Sequence, residues 1–209
     1  MLINLTRLCM LMAGPIFAYS LFVMQPQIEV LTSLDGTSRF LTSLTMEADA
    51  WRTSHVLLTV GTLFYIGAGI GAGTIVARKN RWVGSAIGTF LVVGFAGFIG
   101  NFALDFVYGA LATLQDGDSA QAARTAILSD PIIQLLFVKG PAVIVLLGML
   151  VLSLSALLAG WLPRIVGVLI IAGWATTIGL HSMLPYAEVI GHFVVGIGFW
   201  VISFTKSEG

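Results

Sequence analysis

Residues 61–100 read GTLFYIGAGIGAGTIVARKNRWVGSAIGTFLVVGFAGFIG, two apolar runs separated by the basic turn Arg78-Lys79-Asn80-Arg81. A helix needs about 20 mostly apolar residues to cross a hydrocarbon core, and with their flanks both runs reach that length. The stretch therefore predicts a transmembrane hairpin whose turn lies in water. Gly67 and Gly71, like Gly69 and Gly73, have the small-xxx-small spacing that lets helices pack closely. These glycines lie inside an apolar helix rather than after a strand, so they do not form a nucleotide-phosphate loop.

Composition extends this reading to the whole chain. Hydrophobic residues make up 57% and charged residues 10%, against roughly 25% charged in a soluble domain. Too little charge is present to coat a water-soluble globule of 209 residues. Lys plus Arg and Asp plus Glu balance at 10 each, which gives no basic surface for nucleic acid. Cys9 is the lone cysteine, which excludes an intrachain disulfide and a CxxC redox pair.

The expected fold is all-α, a polytopic bundle forming a single transmembrane domain over 1–209. Six spans are expected at about 5–24, 55–77, 83–113, 133–160, 165–184 and 189–205. The first run is counted as a helix rather than a cleaved signal peptide. With the N-terminus inside, Arg7, Arg78, Lys79, Arg81, Arg164 and Lys206 fall on the cytoplasmic side, leaving Arg39, Arg52 and Arg124 outside. That bias sets both termini in the cytoplasm. The outer loops, 25–54 and 114–132, are expected to be partly helical. Phe40, Leu41, Leu44 and Ala48 suit one face of an interfacial helix, with Trp51 at headgroup level. A short helix capped by Asp118 or Ser119 is expected to stop before Pro131.

On this topology the embedded polar residues share the outer half. His55 begins the second span, and Asn101 and Asp105 lie on one face of the third. Lys139 sits about two turns into the fourth, where Pro141 is expected to kink the helix. His181 and His192 are equally distant from the centre of the closing hairpin, hence expected at matching depth. An embedded carboxylate is costly and marks a functional site by default. The plainer alternatives are an ion pair of Asp105 with Lys139, a snorkelling Lys139, and histidines satisfied by carbonyls or water. No HExxH, GxSxG or paired-cysteine motif is present.

The order WRxxH at 51–55, embedded Asp105, KGP at 139–141 and LPR at 162–164 resembles a class of uncharacterised six-helix bacterial membrane proteins. The resemblance runs from Trp51 onward. It implies a multi-pass protein of the bacterial inner (plasma) membrane and no particular activity. By residue type, His55, Asp105, His181 and His192 also resemble the zinc site of the ceramidase and adiponectin-receptor hydrolases. Those proteins have seven helices and an HxxxH pair on the last, which this chain lacks.

These readings leave several functions open, with no catalytic residue identified. The leading one is a binding protein or complex subunit, its outer pocket walled by Asn101, Asp105, Lys139, His181 and His192. It would take a small or lipid-like ligand or a partner, in a homo-oligomer or a larger membrane complex. The second is an enzyme holding a divalent metal through His55, Asp105, His181 and His192. The third is a haem or pigment protein, with His55 as the ligand opposite His181 or His192. A proton-coupled transporter using Asp105 and Lys139 ranks below these, because deeper polar groups are confined to Ser and Thr. A retinal Schiff base is rejected, since the only embedded lysine lies in the fourth of six helices.

Overall fold

A computed structural model describes residues 2–33, 48–114, 122–123, 125–127, 129–180, 183–184 and 186–205. Among these residues six long helices form the body, with no strand. They are α1 (Leu2–Ser33), α2 (Ala48–Ala77), α3 (Arg81–Leu114), α4 (residues 131–157), α5 (Arg164–Gly179) and α6 (Ala187–Phe204). Five are long and apolar enough to cross a membrane. The exception is α5, whose 16 residues fall below the expected span length.

Each helix packs on its neighbours in sequence, and α6 closes the ring by packing on α1. The ends carrying Arg7, Arg78, Lys79, Arg81 and Arg164 therefore lie together, and we refer to this as the basic end. Without hydrophobic water-exclusion between helices in lipid, close contact has to come from small residues. At the α1–α6 crossing a Cβ on Gly14 would overlap the backbone of Gly196, and one on Gly196 would lie 2.7 Å from the Cα of Gly14. Trp200 Nε1 donates to the Leu11 carbonyl at 2.6 Å across the same interface.

The apolar core occupies the half of the bundle nearer the basic end. It draws on Met10 and Ala13 of α1, Ala68, Ala72 and Val76 of α2, and Ile87 and Leu91 of α3. Met149 and Leu152 of α4, Val166 and Ile170 of α5, and Phe199 and Ile202 of α6 complete it. Buried Tyr65 ends this core, stacked on Phe95 at 4.8 Å and 8° and meeting Phe17 and Phe199 edge-on. Hydroxyls within the core bond back to their own helices, Thr62 to Leu58 and Ser153 to Met149, so they line no polar path. Toward the other end burial thins: the first nine residues of α4 contain none that is buried.

Local structure departs from expectation at several points. Helix α1 continues to Ser33 and α2 begins at Ala48, so both reach into the expected outer loop of 25–54. Apolar length measures how much helix lies in hydrocarbon, whereas backbone hydrogen bonds continue into water. Residues 40, 41 and 44 of the expected interfacial helix, and 118 and 119 of the expected cap, lie outside the described residues. Pro131 begins a helix: Asp130 caps it, accepting from the amides of Ile132 at 2.8 Å and Ile133 at 3.1 Å. Gln134–Lys139 then form a π-helical turn in which the Gly140 amide bonds to the Leu135 carbonyl, five residues back. Pro141 lacks the amide that would continue a regular ladder, and the wider turn absorbs the mismatch.

Candidate functional site

The expected outer pocket resolves into two centres. His55 and His192 both lean on α2, His55 as a member and His192 through Tyr65. Ten residues of helix separate positions 55 and 65, about 15 Å along the axis. Tyr65 lies twelve residues from Ala77, so the His192 layer is about 18 Å from the basic end of α2, a little over half the thickness of a hydrocarbon core. His55 is about 33 Å from that end, at the far surface.

At the far centre His55 is buried, with Nδ1 2.9 Å from the Trp51 carbonyl and Nε2 3.5 Å from Asp105 Oδ2. A carbonyl can only accept, so Nδ1 carries a proton. Nε2 and the carboxylate then attract one another when a second proton lies between them. Trp51 lies over the imidazole at 4.1 Å and 32°, with Phe102 and Phe106 edge-on. The Asp105 side chain is 25% exposed, so this centre touches the surface. Asp105 pairs with His55, not with Lys139, because its face of α3 turns toward α2 rather than α4.

Ser54, His55 and Asp105 mimic the order of a hydrolase triad, but the chemistry fails at the serine. Ser54 Oγ is fully buried and donates to the Trp51 carbonyl at 2.8 Å. It has neither access to substrate nor a proton free for the imidazole. The 3.5 Å between Nε2 and Oδ2 would also suit two ligands across one tetrahedral ion, each bond being about 2.0–2.2 Å. Among the described residues, however, no group of three or more His, Cys, Asp or Glu is close enough to hold a metal. His192 is in another layer, and position 181 lies outside the described residues.

The inner centre surrounds His192, which is 8% exposed. Tyr65 Oη lies 3.4 Å from both its Nδ1 and its carbonyl oxygen, contacts at the long limit of a hydrogen bond. Phe17 covers the imidazole at 4.4 Å and Trp174 meets it edge-on at 5.5 Å. Trp174 Nε1 and Thr177 Oγ1 are buried with no hydrogen-bond partner. Both lie on one face of α5, three residues apart. Gly191 brings that face close: a Cβ there would overlap Thr177 Oγ1 and lie 2.6 Å from the Gly173 carbonyl.

Of the remaining expected residues, Asn101 is half-buried and Lys139 exposed, and neither side chain makes a hydrogen bond or ion pair among the described residues. Tyr65, Trp174 and Thr177 were not anticipated. Their signal in the sequence is position: Tyr65 and Trp174 sit in the middle of apolar runs, away from the headgroup belts where such residues collect. The chain matches no protein-family model, no curated protein and no solved structure, so its functional reading rests on these two centres.

Proposed function

We propose that this chain is a non-catalytic, multi-pass membrane binding protein that takes a neutral, lipid-like molecule at the His192 layer. The observation that carries this reading is the pair of orphaned polar atoms, Trp174 Nε1 and Thr177 Oγ1, on the α5 face that meets His192 and Gly191. A buried donor without a partner costs about 1–3 kcal/mol. Two on one helix face are hard to account for in a purely structural bundle, and a bound acceptor would satisfy them. An indole N–H only donates, so the ligand atom is an acceptor such as a carbonyl or ether oxygen. The rings that touch His192, those of Phe17, Tyr65 and Trp174, are all uncharged, which favours a neutral group. Phe17, Tyr65 and Trp174 supply apolar walls.

This narrows the broader expectation of a pocket spanning Asn101, Asp105, Lys139 and both closing-hairpin histidines. In the same reading the basic end faces the cytoplasm of a bacterial cell, on the strength of the Lys and Arg bias. The test is the double variant Trp174→Phe/Thr177→Val, which removes both donors and keeps an aromatic ring and a branched side chain in their places. Organic extracts of the purified protein, compared by mass spectrometry, are expected to contain a neutral oxygen-bearing lipid that the variant loses. Identical extracts from the two proteins would refute the reading.

A further inference from the structure

A second surface feature lies away from both centres. An open groove of about 420 Å³ runs between α2 and α3 on the outside of the bundle, within the roughly 300–1,000 Å³ of small-molecule sites. Gly73, Thr74 and Ala77 form one wall and Gly84, Ser85 and Gly88 the other. It starts at the basic turn and ends near Val93, twelve residues along α3, about 18 Å away. Half of a hydrocarbon core is about 15 Å, so the groove spans one leaflet.

Gly73 and Gly84 are explained by helix contact, since a Cβ on Gly73 would lie 2.7 Å from the Gly84 carbonyl. Gly88 is not: a Cβ there would meet nothing within 4 Å. Its missing side chain serves the groove rather than the α2–α3 interface. The Thr74 hydroxyl is bonded to the Ile70 carbonyl, so that wall offers an apolar occupant no competing donor.

At the mouth stand Arg78, Lys79 and Arg81, all exposed and without an ion-pair partner among the described residues. Trp82, beside them, is 85% exposed, as suits a headgroup-level aromatic. We propose that this groove seats one anionic phospholipid, its phosphate held by Arg78, Lys79 and Arg81 and one acyl chain lying over Gly88. Basic clusters at helix ends select anionic headgroups in this way. A second copy of the chain is the less favourable occupant. Two copies inserted in the same direction would bring two turns of three uncompensated cations to the same level.

The test uses the full chain reconstituted in vesicles of equal parts phosphatidylglycerol and phosphatidylcholine, then re-extracted in mild detergent with retained lipid quantified. The wild-type protein is expected to retain phosphatidylglycerol in preference to phosphatidylcholine; no preference would overturn the proposal. Neutralising Arg78, Lys79 and Arg81 to Gln is expected to weaken retention about fivefold per charge. Gly88→Leu puts a side chain into the groove, its Cβ meeting nothing within 4 Å, and is expected to abolish the preference without lowering the melting temperature in detergent. Undiminished retention in Gly88→Leu would show headgroup attraction without a seat. A change in oligomeric state with unchanged lipid would instead make the groove an interface between copies. Either result overturns the proposal, and both are independent of Trp174 and Thr177.

Discussion

Asp105 on α3 reaches His55 on α2 at 3.5 Å, while the other imidazole nitrogen is held by the Trp51 carbonyl. The pair thus fastens two helices at the end where burial is thinnest. Because Asp105 is partly exposed, solvent screens the attraction, and Asp105→Asn is expected to cost about 1 kcal/mol or less. His55→Ala also removes a ring packed between Trp51, Phe102 and Phe106, and is expected to cost about 1–3 kcal/mol. Thermal unfolding in detergent ranks the two, and equal losses would contradict the packing account.

Glycine substitutions separate helix contact from open groove. Gly14→Ala and Gly196→Ala each push a methyl into the opposing backbone, and are expected to cost about 1–3 kcal/mol as overpacking. Gly88→Ala meets no neighbour and is expected to stabilise α3 by about 0.5–1 kcal/mol through helix propensity. Melting temperatures should fall for Gly14→Ala and Gly196→Ala and rise for Gly88→Ala.

The π-helical turn makes its own demand on residue 140. A Cβ there would collide with the Leu135 carbonyl, the acceptor of the Gly140 amide. Gly140→Ala is expected to disrupt the turn, while Gly179→Ala, whose Cβ would meet nothing, is expected to be silent. Amide hydrogen exchange across residues 134–145 would register the difference; protection unchanged in Gly140→Ala would argue against a strained turn.

Orientation is open to direct measurement. In a background with Cys9 replaced by Ala, a single cysteine at position 79 is expected to resist membrane-impermeant maleimide added to intact cells. One at position 52, at the exposed start of α2, should react. The reverse pattern would place the basic end outside.

Helices were legible because apolar runs announce themselves by length, and the basic turn at 78–81 marks where one ends. Element ends were less so. Helix α5 stops at Gly179 and α6 starts at Ala187, so His192 lies five residues inside its helix. The symmetry argument for the closing hairpin gave too shallow a depth for it. Asp105 stood out as a charge within an apolar run, but its partner did not. Lys139 and His55 are both available in sequence, and only the rotation of α3 against its two neighbours selects His55. The orphaned Trp174 and Thr177 were hidden for the same reason, since sequence shows donors and not whether they are answered.

The π-helical turn in α4 has one more consequence. A single extra residue in a turn offsets the helical phase by about 100°. The stripe that buries Val145, Met149 and Leu152 would run back through Val138 and Gln134 in a regular helix; the extra residue moves it by one position, to Phe137 and Ile133, both half-buried. The two parts of α4 are written in different reading frames of the same helix. Deleting one residue between 134 and 139 would restore a common frame and rotate the whole Pro131 end, presenting a different set of side chains to α3 without altering one of them.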